Sequence, residues 1–182
     1  RRALNKVEIV RQQCERMEAL LRDFLRYARL SQIDLVPGNL NDQVDRVLRA
    51  YGAQADAAGV EIQRYLDPDL PAILLHSDSL QAALTNLVKN AIEAMEGGGT
   101  LTLRSDRRAG RGVVLIADSG KGMDSEQIKR LGTPYYSMKD KGTGLGTMIS
   151  FNIIKKMNGK IEIDSVVGQG TEFRLSFPPI PE

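Results

Sequence analysis

One cysteine and one histidine stand among 182 residues, and no stretch of the chain approaches the roughly 18 apolar residues of a membrane-spanning helix. A single Cys14 excludes an internal disulfide and fits a reducing compartment, so the expected setting is cytoplasmic. Anchoring of a longer parent protein is left open. No secretory leader opens the chain, and direct membrane insertion by these residues is not expected. With His76 alone, no Ser/His/Asp or Cys/His arrangement beyond that one imidazole is available, and no zinc-ligand cluster exists. His76 lies in a short polar loop and reads as a surface residue; Cys14 reads as packing. The chain also lacks a GxxxxGKS/T phosphate loop, the dinucleotide fingerprint, internal repeats and low-complexity tracts.

What is present is an ordinary globular composition, 42% hydrophobic and 26% charged. The net charge of +2 is uneven. Residues 1–30 hold eight Lys/Arg against four Asp/Glu, which leaves −2 for the remainder and argues against a nucleic-acid partner. Within that basic segment Val7, Val10, Cys14, Met17, Leu21, Phe24 and Ala28 alternate three and four residues apart, the seam of a helical bundle. One helix cannot cover such a seam by itself, so partner helices from missing upstream sequence or a second subunit are expected. The plainer alternative is a helix lying on its own domain. The pattern breaks between Ser31 and Pro37, which sets the expected boundary: 1–32 a bundle helix, 33–182 a second domain.

In that second domain Asn41 is the expected cap of a helix bearing Val44, Val47, Leu48, Tyr51 and Ala55, closed by Gly59. Val60 to Leu66 alternates like a strand. Ser77 or Asp78 is the expected cap of the next helix, whose inner face carries Leu80, Leu84, Leu87, Val88 and Ala91. A hairpin over 100–106 and 112–117 and a short helix at 125–130 follow. Then come a helix after Gly142 with Leu145, Ile149, Ile153 and Met157, and strands over 160–166 and 171–177. The expected fold is a two-layer α/β sandwich, three helices on a mixed, mostly antiparallel sheet, preceded by the long bundle helix.

Four stretches carry chemistry. Asn86 and Asn90, one helical turn apart, project from one side, and Asn90 can give Mg²⁺ a neutral oxygen ligand. Asp118 ends an apolar strand, where a desolvated carboxylate accepts from the exocyclic amine of adenine and is left unpaired by guanine. Gly120 and Gly122 then let the backbone turn under a base. The run Gly142, Thr143, Gly144, Leu145, Gly146 opens a helix, where exposed N–H groups and the positive helix end attract phosphate. Residues 124–141, with Gly132, Pro134, Tyr135, Tyr136, Lys139 and Lys141, read as a mobile lid whose Lys139 approaches the terminal phosphate; a plain surface loop is the alternative. Thr171, after Gly168-Gln169-Gly170, can hydrogen-bond near the adenine. Taken singly, the Asn pair, the Asp-Gly turn and the glycine run are each compatible with a polar face, a hairpin turn and a helix entry.

Together the Asn box, the DxGxGM box at 118–123, the GTGLG box at 142–146 and the Gly-Thr-Pro-Tyr-Tyr-Ser-Met-Lys stretch at 132–139 resemble the catalytic ATP-binding domain of bacterial sensor histidine kinases. That domain shares its fold with gyrase, heat-shock-90 and mismatch-repair ATPases. The resemblance covers roughly 33–180, and the wording NLVKNAIEAM is similar to sporulation-type kinases. It implies Mg²⁺ on Asn90 with Asn86 assisting, adenine on Asp118, and a base pocket shaped by Gly120, Gly122 and Met123. Phosphates would be covered by Lys139 and residues 142–146, with Thr171 supporting the adenine end. It also implies a response-regulator receiver domain as partner, a homodimer through a bundle that includes residues 1–30, and room for a protein inhibitor on that bundle.

Two departures matter. Hydrolysing relatives resemble one another in a Glu four residues before the metal-binding Asn; here Asn86, a poor base, stands there, which favours presenting a γ-phosphoryl group over splitting it with water. The family's phosphoacceptor histidine, on the first hairpin helix, has no counterpart, so the chain is expected to be a fragment that binds ATP without phosphorylating itself. The alternatives are a serine kinase or hydrolytic ATPase of the same fold, and a docking module that binds ATP without transfer.

Overall fold

The structure, a computed structural model, describes residues 2–133 and 144–182. A long helix α1 (Arg2–Arg29) runs through a 3-10 turn (Leu30–Gln32) into strand β1 (Val36–Gly38). Helix α2 (Leu40–Ala57), strands β2 (Val60–Tyr65) and β3 (Ile73–Leu75) and helix α3 (Ser77–Glu93) follow. Strands β4 (Gly99–Arg108) and β5 (Arg111–Asp118), helices α4 (Ser125–Arg130) and α5 (Gly146–Lys156), and strands β6 (Lys160–Val166) and β7 (Gly170–Phe177) complete the order. The expected two-layer sandwich is present. β2-β4-β5-β7-β6 form one sheet, parallel only between β2 and β4, and α2, α3 and α5 supply the other layer.

Two caps differ from expectation. Asn39, not Asn41, begins α2, its side chain accepting from the Asn41 N–H, while the Asn41 Nδ2 donates to the Asp67 carbonyl at 2.7 Å. His76, not Ser77 or Asp78, begins α3: its ring accepts from the Ser79 N–H at 3.3 Å and its Nδ1 lies 2.7 Å from the Ser79 Oγ. A ring nitrogen does here what a Ser or Asp oxygen usually does, satisfying a first-turn N–H that no helical carbonyl reaches. The pair β1–β3, three residues each, was not expected; strands that short leave no alternation to read.

The sheet's inner face is built in rows. Ser105, Val114, Leu175 and Ile161 lie side by side, and Leu103, Ile116, Phe173 and Ile163 form the next row. Most of these are buried against Leu80, Leu84, Leu87 and Val88 of α3 and Ile149, Ile153 and Ile154 of α5. The third row is Leu101, Asp118, Thr171 and Ser165. Three strands therefore turn from apolar to polar at one end of one face. That end positions the site.

Helix α1 behaves differently. It has no buried residue, and Val7, Val10, Met17, Leu21 and Phe24 are 59–67% exposed. Only its last turns lean on the domain, through Leu20 and the buried Leu30 that follows.

Candidate functional site

Asp118 reaches the site because the period of two along β5 carries Val114 and Ile116 into the core and Asp118 onto the same face beyond them. Its Oδ1 accepts from the Gly120 N–H at 2.8 Å, and the Thr171 N–H also donates to it. Burial is the larger influence and pushes the carboxyl above its ordinary range, the two N–H donors pulling it back only in part. A carboxylate so placed gains by accepting one more donor.

The glycines around it are contact points between segments. A Cβ on Gly120 would strike the Ala94 carbonyl at the end of α3. The neighbouring Lys121 N–H donates to that same carbonyl at 3.1 Å. Gly122 sits at φ +66°, and a Cβ there would strike the Val166 carbonyl. The Lys121 carbonyl accepts from the Gly168 N–H at 2.7 Å, and Met123, 6% exposed, donates its N–H to Ser165 Oγ at 2.8 Å. The 118–123 loop is thus clamped between the C-terminus of α3 and the β6–β7 hairpin. Thr171, 7% exposed, lies 2.8 Å from Ser165 through its hydroxyl.

The second half of the site is where α5 meets α3. Gly144 takes φ +72°, Leu145 is the N-cap without a side-chain hydrogen bond, and Gly146 is the first helical residue. No acidic residue stands in the first turn of α5. A Cβ on Gly146 would come 2.6 Å from the Asn86 Oδ1, so glycine is what lets α5 enter beside the Asn-bearing face of α3. The Asn86 Nδ2 is buried without a hydrogen-bond partner among the described residues, which is costly unless an acceptor completes it. Asn90 is half-buried one turn further along, its carbonyl accepting from the Ala94 N–H at 3.0 Å.

Among the residues singled out from sequence, two contact points lie along α3, and Asp118, Met123 and Thr171 are linked to the second of them through the 118–123 loop and Ser165. Gly146 touches Asn86; Gly120 and Lys121 touch Ala94. Eight residues separate those two points, about 12 Å of helix. Lys139, Gly142 and Thr143, with residues 134–141 of the expected lid, lie outside the described residues. Two participants were missed. Ser165 stands on the inner face of β6 after Ile161 and Ile163, and a hydroxyl at such a position was a readable signal. Gly170, at φ +117°, passes so close to the Asp118 carbonyl that no side chain fits.

The donor set suits a magnesium-bearing anionic nucleotide: an acceptor row at one end, and at the other a helix start with no acidic residue and a carboxamide N–H with no partner among the described residues. No group of three His, Cys, Asp or Glu fit for a metal occurs among the described residues. A cation here would rest on phosphate oxygens, water and a neutral carboxamide such as Asn90, a mode magnesium accepts.

Residues 76–181 match the family described as Histidine kinase-, DNA gyrase B-, and HSP90-like ATPase. The chain belongs to that family. It is similar to Sporulation kinase E of Bacillus subtilis, 33% identical over 172 residues, and to Sporulation kinase C of the same organism, 31% identical over 172 residues. Those matches take in 93% and 94% of this chain but span 23% and 40% of the two kinases' own lengths. Among solved structures it resembles full-length ShkA in complex with AMPPNP (TM-score 0.78, 26% identity, 96% of this chain and 38% of that one). It also resembles the catalytic domain of the histidine kinase ThkA (TM-score 0.72, 25% identity, 80% of this chain and 96% of that one). The chain is therefore an ATP-binding catalytic domain of the histidine-kinase type. No helix among the described residues is long and apolar enough to cross a membrane.

Proposed function

We propose that this domain binds Mg-ATP between Asp118 and the start of α5 and presents the γ-phosphoryl group to a histidine on a helical bundle, for relay to a response-regulator aspartate. The observation that supports this most is the pair of contacts on α3: Gly146 against Asn86, and Gly120 with Lys121 against Ala94, which bring three separate motifs to one helix face. Asp118 accepts the adenine amine, with Gly120, Gly122 and Met123 shaping the floor beneath the base and Thr171 beside it. The backbone N–H groups of Gly144, Leu145 and Gly146, at the entry to α5, donate to phosphate oxygens, with Gly142, Thr143 and Lys139 covering them. Asn86 completes its unpartnered Nδ2 on the same anion, and Asn90 gives its carboxamide oxygen to magnesium. The ion, when bound, supplies charge neutralisation on the phosphates.

Asn86 cannot serve as a base for water, so the site positions rather than hydrolyses, and phosphoryl transfer depends chiefly on positioning and charge stabilisation. Residues 1–32 form one helix of a dimerisation bundle and 33–182 the catalytic unit. The exposed seam of α1 supports a second copy as its cover, with a receiver domain and a protein inhibitor as further partners of that bundle, in the cytoplasm. Incubation with labelled ATP and a separately supplied histidine-bearing bundle tests the proposal. Label on the bundle, and none on a serine protein or released by water, is the expected result; nucleotide binding without transfer contradicts it.

A further inference from the structure

We infer that Ser165 is a positioning residue that sets the base preference of the site, by fixing which way the Thr171 hydroxyl directs its proton. The inference rests on the adenine reading above. Ser165 Oγ stands at the centre of three contacts: the Met123 N–H at 2.8 Å, the Gly170 carbonyl at 2.9 Å and the Thr171 Oγ1 at 2.8 Å. A serine hydroxyl has one proton and two lone pairs. The Met123 N–H can only donate, which occupies one lone pair. The Gly170 carbonyl can only accept, which takes the proton. All three contacts hold together only when Thr171 donates to the remaining lone pair.

Thr171 thereby has only lone pairs left to offer a ligand beside Asp118. Asp118, its neighbour across the β5–β7 ladder, is an acceptor as well when ionised. Two acceptors side by side suit an exocyclic amine and repel a ring carbonyl, whose own lone pairs would face theirs without a proton between. Without Ser165, the Thr171 hydroxyl is free to turn and donate to that carbonyl.

The test is calorimetric titration of the full chain with Mg-ATP and with Mg-inosine triphosphate, which has a carbonyl in place of the amine. The wild-type chain is expected to prefer ATP by at least about a hundredfold. In Ser165→Ala the preference falls below about tenfold, because the inosine nucleotide no longer meets two fixed acceptors. Ser165→Thr, which keeps the hydroxyl, restores it. In a Thr171→Val background the Ser165→Ala change leaves the ratio where Thr171→Val alone puts it, the non-additivity expected of a residue acting through another. A ratio unchanged in Ser165→Ala, or both affinities weakened equally, overturns the inference and leaves Ser165 a structural residue. Should the alanine variant not fold, Thr171→Val alone decides: its ratio must also fall, and an unchanged ratio overturns the inference. A wild-type chain that binds neither nucleotide overturns the nucleotide reading itself, a result distinct from all of these.

Discussion

Helices α1 and α3 carry apolar residues at the same three-and-four spacing, yet α1 buries none of its seam while α3 buries Leu80, Ala83, Leu84, Leu87, Val88, Ala91 and Ile92. Periodicity marks a face; it does not say what covers it. In α3 the sheet and α5 cover the face, and the helix edge left over carries Asn86 and Asn90. In α1 the described residues leave the seam exposed. A helix covered by its own domain can carry polar side chains at its edge, whereas α1 lies outside that cover with its apolar seam exposed.

The sharpest way to break this contrast is to truncate one leucine on each seam. Leu84→Ala, at 1% exposure, is expected to cost about 2–5 kcal/mol in denaturant unfolding. Leu21→Ala, at 59% exposure, should change unfolding of the dilute chain by no more than about 0.5 kcal/mol. Comparable losses at both sites would mean that α1 is covered within its own chain. At concentrations where the chain associates, sedimentation should show Leu21→Ala weakening the dimer instead.

A smaller effect separates the α3 edge from the α3 core. Gly146→Ala adds a Cβ 2.6 Å from the Asn86 Oδ1, so Mg-ATP affinity measured by calorimetry should fall several-fold. The Asn86 carboxamide is the end of a side chain that can turn aside, and alanine's helix preference offsets the crowding, so the melting temperature should change little. Affinity and stability moving down together would place Gly146 in the core rather than at the site.

The smallest expected effect concerns Asp118. Its carboxyl titrates above the unfolded value, so the folded chain binds more protons between those two pKa values and stability falls as pH rises through that window. At neutral pH the ionised side chain opposes folding, and Asp118→Asn should melt slightly higher than wild type while losing nucleotide. Affinity for Mg-ATP in the wild-type chain should fall as the pH drops through the raised pKa, because the adenine amine needs the ionised acceptor. A melting difference of the opposite sign at neutral pH would show Asp118 to be a stabilising residue rather than a site residue.

Much of this was legible beforehand, and the reasons differ by element. Strand β6 and helix α4 fell at the residues expected of them, 160–166 and 125–130, because each signal is local. The inner faces of α2, α3 and α5 were readable for the same reason. The caps at Asn39 and His76 were not, since several polar residues in succession can each supply a capping atom and only the tertiary path selects one. β1 and β3 are too short for any period. At the site, Asp118 and Thr171 could be chosen singly, but that they share a row with Ser165 depends on strand register, which no one strand encodes. Gly170 was passed over because the need for glycine comes from the Asp118 carbonyl of a strand far away in sequence.

The central claim is that the far edge of α3 and the polar end of β5 hold a single ligand between them. Side-by-side calorimetric titration of Mg-ATP into Asn90→Asp and Asp118→Asn, each verified as folded by its melting curve, tests it most directly. The expected result is a loss of affinity of at least about tenfold in both variants, since Asp118→Asn removes the charged acceptor of the adenine amine and Asn90→Asp sets a further negative charge beside the phosphates. Wild-type affinity in either folded variant would contradict it.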